Sequence, residues 1–398
     1  YVLSDEAFFP EGFGEIKLRA AYGFAGRSPG AFDKVRTWSP VGFNYNEQAF
    51  YPNNLGNSNL GPERTREYEY GMDGSWFGGR FSAELTYYHQ LTSDALFRVA
   101  SSQTAGGWGK QLENVGEFEN KGWEVGTNTT IFNGQNFGWD LGLGLSTNHS
   151  KVLSLGGAAQ FSVGEYGWVI EGQPVPVIYA KQITNANEKA DAVYSSGNTI
   201  YGPANPTHIY SANTSIRLPG GLQLSARGEY LKGAYISNYF EAGATGRTIA
   251  HPKCYDAYRK VDPNWVQGTL GSNTGPQWPG SRPADMYAWE EGQCFGMATY
   301  HYANSESDFA ELRDLTLSVP ISNLLPGMFT FSDRTDLTIS GRNVAFWTHK
   351  NLITGHPEQN ENSIGTTDSG EFRHDMVKGI DETLPPVSYW TVAMRMIF

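Results

Sequence analysis

Tyr389-Trp390-Thr391-Val392-Ala393-Met394-Arg395-Met396-Ile397-Phe398 is the stretch that decides how the rest of the chain is read. Trp390, Val392, Met394, Met396 and Phe398 are apolar and fall on every second position, with Tyr389, Thr391, Ala393 and Arg395 between them. A period of two places the two sets on opposite faces of a β-strand. An apolar strand closing on an aromatic suits the last strand of an outer-membrane barrel, where one face meets lipid and the other a polar interior. A soluble sheet could end in the same way, so the remaining sequence has to decide.

The same alternation recurs upstream. In 137–147, Phe137, Trp139, Leu141, Leu143 and Leu145 oppose Gly138, Asp140, Gly142, Gly144 and Ser146. In 81–91, Phe81, Ala83, Leu85, Tyr87 and Leu91 oppose Ser82, Glu84, Thr86 and Gln90. Trp123, Val125, Thr127, Thr129 and Ile131 oppose Glu124, Gly126, Asn128 and Thr130, and Leu222, Leu224, Ala226 and Tyr230 oppose Gln223, Ser225, Arg227 and Glu229. Weaker versions near 15–24, 64–77, 207–218, 309–319 and 336–345 bring the expected strands to ten, and no amphipathic helix is expected. Charge on a lipid-facing position costs a few kcal/mol, so Glu84, Glu124, Asp140, Arg227 and Glu229 are expected to face the lumen.

The connections are more diagnostic than the strands. Gly78-Gly79, Asn133-Gly134 and Gly220-Gly221 suit tight turns, and a slightly longer one is expected around Leu325-Pro326-Gly327. The other connections are long, at about 25–63, 93–118, 153–206, 237–308 and 346–387, and short and long alternate without exception. In an up-and-down barrel all short turns then lie at one end and all long loops at the other. This is the asymmetry of outer-membrane barrels, with short periplasmic turns and long extracellular loops. The last strand would run down to the periplasmic face. Tyr87-Tyr88, Trp76-Phe77 and Tyr389-Trp390, close to strand ends, are expected in the aromatic girdles at the membrane interfaces.

Composition is compatible with this reading. The 398 residues carry 29 Lys plus Arg against 41 Asp plus Glu, a net charge of −12 that argues against a nucleic-acid partner. Mean hydropathy is −0.44 and no apolar run approaches the roughly 20 residues a membrane helix needs, but alternating strands escape such a scan. Cys254 and Cys294 are expected to pair in an oxidising compartment, closing a loop worth about 4 kcal/mol on the chain-entropy account. Around them lie Trp265, Trp278, Trp289, Tyr255, Tyr258 and Tyr287. These aromatics suit either a ligand or partner surface or a small core around the bridge, and the need of a long loop for an anchor favours the core.

Several segments resemble TonB-dependent outer-membrane receptors of the SusC/RagA type. Gly56-Asn57-Ser58-Asn59-Leu60-Gly61-Pro62-Glu63 with Glu67-Tyr68-Glu69-Tyr70-Gly71 resembles the family's "GNPNLKPE…E…G". Asn114-Val115-Gly116-Glu117 with Glu119-Asn120-Lys121-Gly122-Trp123-Glu124 is similar to "NxGxxxNKGxE", and Leu312 to Ser318 to "LRNVTLSY". Leu337 to Val344 resembles "LxVSGQNL", Leu18 to Gly23 resembles "LRASYGxxG", and Pro357-Glu358 falls at the family's "DPE" with His356 in place of its Asp. The segments follow the family's order.

The resemblance implies an all-β transmembrane antiparallel up-and-down barrel of about 22 strands, of which residues 1–398 would be the C-terminal part, with a plug domain and TonB box outside this sequence. It implies import of a large nutrient, oligosaccharide or oligopeptide, across the outer membrane of a Gram-negative bacterium, energised by the TonB complex through the plug. A SusD-like lipoprotein would sit on the extracellular loops, and the loops at 153–206, 237–308 and 346–387 are expected to hold most of its contacts. The barrel would face lipid bilayer and lipopolysaccharide. No enzymatic role and no cofactor are implied. Alternatives are a siderophore- or cobalamin-type receptor without a lid, and a non-transporting outer-membrane scaffold or adhesion component. No leader opens at Tyr1, and ten strands as an open sheet would leave two unpaired edges in lipid, so a longer polypeptide is expected. Gly26-Arg27-Ser28-Pro29-Gly30 matches a hydrolase elbow, but that elbow needs a helix after it and none is expected. The eight histidines lack metal-ligand spacing and are read as solvated loop residues, and the Asn-x-Ser/Thr matches at Asn128, Asn148 and Asn213 are read as incidental.

Overall fold

A computed structural model describes residues 1–10, 12–43, 47–100, 110–163, 167–238, 249–266, 274–295, 304–325, 327, 331–349, 357, 379–380 and 386–398. One large antiparallel sheet dominates, built of β1 (Glu15–Arg27), β2 (Glu63–Trp76), β3 (Phe81–Ser93), β4 (Glu117–Asn133), β5 (Gly138–Thr147), β6 (His208–Arg217), β7 (Gln223–Lys232), β8 (Phe309–Pro320), β9 (Arg334–Thr348) and β10 (Tyr389–Ile397). Each strand pairs with the next in sequence, the meander expected from the alternating segments. The order runs from β1 to β10, and among the described residues no ladder joins these two.

The register shows why the sheet forms. Leu18, Met72, Leu85, Val125, Leu145, Tyr210 and Tyr230 stand in one cross-strand row from β1 to β7. Trp139, Ile216, Leu224, Leu317, Ile339 and Val392 form a second row from β5 to β10. The opposite face carries Lys17, Asp73, Glu84, Gly126, Gly144, Ser211 and Glu229. A one-residue slip would exchange these faces, so the apolar pattern pins the register. The apolar face is uncovered: Leu143 is 50% exposed, Val392 67% and Trp390 57%. A surface of this kind suits hydrocarbon, not water.

The turns expected at Gly78-Gly79 and Gly220-Gly221 use positive φ, between 64° and 85°. At Asn133-Gly134 the turn is closed by the Gly134 N–H donating to Phe137 O at 2.8 Å. The β8–β9 connection begins with a helical turn, Ile321–Leu324, and Pro326 lies outside the described residues.

The described parts of the long connections are structured, which the strand pattern did not reveal. Residues 37–54 form a hairpin, Thr37–Phe43 on Glu47–Asn54, and Leu96–Ala100 pairs with Lys110–Asn114. His149–Ser154 turns back from β5 onto the start of β4. A four-stranded sheet of Phe161–Val163, Gly167–Val169, Val177–Ala180 and Thr199–Pro203 fills the β5–β6 connection. Two short helices occur where none was expected: α1 (Tyr255–Val261) and α2 (Ala288–Cys294). Each has seven residues, under two turns, too short to display a 3.6-residue period. Local charge supports α1, with Asp256 in its first turn and Arg259 and Lys260 in its last, complementing the helix dipole.

Candidate functional site

The structure places Glu84, Glu124, Asp140, Arg227 and Glu229 on the same polar face. Neighbours on this face pair both along and across strands. Arg19 meets Asp73 at 2.8 Å and donates to Thr86 Oγ1 at 3.2 Å. Arg227 meets Glu229 at 2.7 Å, and Arg313 reaches Glu229 at 3.2 Å and Glu311 at 2.6 Å. Thr130 Oγ1 donates to Asp140 Oδ1 at 2.7 Å. Between β3 and β8 the face holds a polar recess of about 400 Å³, lined in part by Asn128, Asp140, Asn213, Arg227 and Asp314. Gly142 lies between Asn128 and Asn213 in the register, and a side chain there would fill the space in which their two carboxamides converge. Such a wall offers hydrogen bonds and charge to whatever lies against it. After Gly26-Arg27-Ser28-Pro29-Gly30 the chain makes a turn at 31–34, so the strand-to-helix elbow of a hydrolase does not form.

The family-like segments turn out to be clamps. Asn57 Nδ2 donates to Leu112 O at 3.1 Å while Asn57 Oδ1 accepts from Asn59 N at 3.0 Å. Asn114 Oδ1 accepts from Gly61 N at 2.6 Å, and Asn114 Nδ2 donates to Gly61 O at 3.0 Å and Asp94 O at 2.8 Å. Glu63 Oε2 accepts from Leu96 N at 3.1 Å. The two segments therefore hold the β1–β2 connection against the β3–β4 connection. Gly122 lies where β4 leaves β5 for His149–Ser154; a Cβ there would collide with the Thr147 carbonyl, which accepts from Tyr88 OH at 3.0 Å. The "LRD" and "GRN" segments coincide with register slips in β8 and β9. The slip in β8 carries Arg313 to Glu229 and Glu311, and Asn343, at φ 49°, donates to Val387 O at 3.1 Å. Asparagine tolerates this left-handed conformation better than most residues. Pro357 is buried, while His356 and Glu358 of the "DPE" segment lie outside the described residues.

Two girdle expectations need correcting. Neighbouring residues on a strand point to opposite faces. Tyr87 and Trp123 pair on the apolar side at 4.9 Å, but Tyr88 turns to the polar side. Tyr389 likewise sits on the polar side, its hydroxyl accepting from Arg342 at 3.3 Å, while Trp390 keeps the apolar one.

The loop aromatics form a core. Cys254 and Cys294 are bonded, and Tyr258, Trp265 and Met286 are buried beside them with Trp278 and Trp289 packed against the cluster. Burial raises the Tyr258 phenol above its ordinary value. Of the aromatics weighed as ligand contacts, Tyr287 is the exposed one, at 36%, with the Lys189 and Lys260 ammonium groups over its ring at 5.4 and 5.3 Å. Lys260 is also held by the buried carboxylate of Glu290 at 2.6 Å. A second set went unrecognised in the sequence: Trp38, Phe50 and Tyr51 on the 37–54 hairpin are 55%, 63% and 42% exposed. The alternation of 37–43, Thr-Trp-Ser-Pro-Val-Gly-Phe, was the available signal, broken by Pro40.

A profile of the family described as "TonB dependent receptor-like, beta-barrel" matches residues 7–238. The chain belongs to this family. Its members are outer-membrane receptors and not enzymes. TonB-dependent receptor P26 of Formosa agariphila is 40% identical over 163 residues, 39% of this chain and 16% of that protein. TonB-dependent receptor SusC of Bacteroides thetaiotaomicron is 27% identical over 153 residues, 36% of this chain and 15% of that protein. A solved "RagAB peptide transporter" superposes with a TM-score of 0.70 at 15% identity, covering 99% of this chain and 42% of its own, which shows a shared fold. The chain thus spans under half the length of that solved relative.

Proposed function

We propose that this TonB-dependent receptor chain, residues 1–398, is the C-terminal part of an outer-membrane importer for a large nutrient, an oligosaccharide or oligopeptide. The observation that carries the reading is the pair of unlike faces on one meander, with short turns at one end and long structured connections at the other. The apolar face meets lipid and lipopolysaccharide, the short turns are periplasmic with the C-terminus beside them, and the long connections are extracellular. The polar face lines the lumen, so Glu84, Glu124, Asp140, Arg227 and Glu229 face the interior. A plug outside this sequence couples transport to the TonB complex. A SusD-like lipoprotein caps the loops, supported by the likeness to SusC and to the RagAB assembly. The 37–54 hairpin joins the connections at 153–206, 237–308 and 346–387 as a candidate contact.

The test uses the full-length receptor in its own outer membrane. Cells are given fluorescent dextrins or fluorescent oligopeptides, with and without an uncoupler that removes TonB energisation. Uncoupler-sensitive uptake of one probe, lost on deletion of the gene, is the expected result. Uncoupler-insensitive uptake, or uptake of iron chelates alone, would overturn the proposal. For orientation, a cysteine replacing Ser196, exposed on the β5–β6 connection, should react with a membrane-impermeant maleimide in intact cells, while one replacing Gly79 should not.

A further inference from the structure

The long connections are tied to one another along the whole sheet. Asn57 and Asn114 join the first to the second. The second and third share an apolar core of Ala95, Phe97, Val115, Val152, Phe161 and Val169. The third meets the fourth through Ile178 and Ala204 against Tyr235. The fourth meets the fifth where Ser237–Asn238 runs parallel to Gly379–Ile380.

The densest tie joins the third and fourth. A strap at 183–195 lies on the unit closed by Cys254 and Cys294, with Ile183 and Ala288 buried together. Arg282 Nε donates to Asp191 Oδ1 at 3.1 Å and Arg282 Nη2 to Lys189 O at 3.0 Å, across 91 and 93 residues of sequence. On its own side, Arg282 Nη1 donates to Met286 O at 2.6 Å. Ala288 N donates to Glu188 O at 2.8 Å, Trp289 N to Ala186 O at 3.1 Å, and Ala192 N to Glu291 Oε2 at 2.9 Å. Gly292 is the close-approach point, because a Cβ there would run into Ile183.

We propose that the long connections are one pre-assembled frame in which the strap and the disulfide unit open together, with Arg282 as the coupling residue. A guanidinium that bonds backbone oxygens on both sides cannot release one side and keep its own geometry satisfied. Opening of either segment alone would leave the Arg282 side chain, 14% exposed, without its partners on the other, so the two form one cooperative unit.

The test is hydrogen exchange followed by mass spectrometry on the full-length receptor in detergent. Arg282→Ala should lower protection at least about tenfold both in 183–195 and in α1 and α2, with β4 and β5 unchanged. Asp191→Ala, which removes a carboxylate 86% exposed, should change protection less than twofold. A response confined to either segment, or a strap already unprotected in the native receptor, overturns the proposal. Heat-modifiable electrophoretic mobility confirms that each variant has folded. If Arg282→Ala does not fold, Cys254→Ser with Cys294→Ser replaces it: loosening of the strap together with α1 and α2 supports the coupling, and loosening of α1 and α2 alone refutes it. Because exchange is read without substrate, a failed uptake assay would overturn the import reading and leave this result standing.

Discussion

Asn114 offers the sharpest test of what the family-like segments do. Its carboxamide makes three bonds, accepting from Gly61 N and donating to Gly61 O and Asp94 O. Each is worth about 0.5–1.5 kcal/mol net, and the Asp94 carbonyl can fall back on water because that bond is exposed. Asn114→Ala should therefore loosen the junction by about 2 kcal/mol, roughly thirtyfold in its opening equilibrium. Asn114→Asp separates geometry from bulk. A carboxylate keeps an acceptor for Gly61 N but turns acceptor oxygens toward the carbonyls of Gly61 and Asp94, so it should be worse than alanine. Hydrogen exchange at 57–63 and 94–98 in the full-length receptor reads both variants. Native-like exchange in both, or an aspartate milder than the alanine, would refute the clamp.

Three further outcomes follow from the same geometry. Gly122→Ala should cost several kcal/mol, since the clash is with backbone, and should cut the folded fraction on a heat-modifiability gel; Gly142→Ala, which meets the tips of Asn128 and Asn213, should cost about 1 kcal/mol or less. Leu143→Arg on the apolar face should cost about 2–4 kcal/mol in urea unfolding from lipid vesicles, whereas Ser211→Arg on the polar face should be near neutral; equal costs would contradict the facing of the sheet. Reducing Cys254–Cys294 should destabilise its unit by up to about 4 kcal/mol, read as lost protection in α1, α2 and the strap at 183–195 with the large sheet untouched.

The large sheet was legible because lipid on one side and a polar surface on the other impose a two-residue period, and that period survives in one-dimensional order. The strand from Tyr389 to Ile397 carries it most clearly, and its partner Leu337–Ile339–Gly341 carries it again one strand away. The loops were not legible, for a physical reason. Their order comes from contacts between residues far apart in sequence, such as Arg282 with Lys189, and from helices too short to show a period. Only the aromatic density around Cys254 and Cys294 announced a core there.

The five charged residues on the polar face illustrate what register adds. Alternation alone places Glu84 and Glu229 on the same side as each other, but three strands lie between them. Glu229 shares its side chain between Arg227 and Arg313, and Arg313 reaches it because β8 slips by one residue at that point. With Asp314 held opposite Arg227, a regular strand would turn Arg313 toward the apolar face, exchanging an ion pair for a charge in hydrocarbon. The "LRD" segment is thus constrained by where the arginine must point. Deleting Arg313 should be worse tolerated than Arg313→Ala, because deletion closes the bulge against β7 but widens the mismatch with β9, where the partners of Leu312 and Asp314, Ala345 and Arg342, stand three residues apart, whereas alanine keeps every other side chain in place. Comparing the folded fraction of the two variants measures the bulge itself. An equal loss in both would mean that the side chain alone matters and that the slip has no role in orienting it.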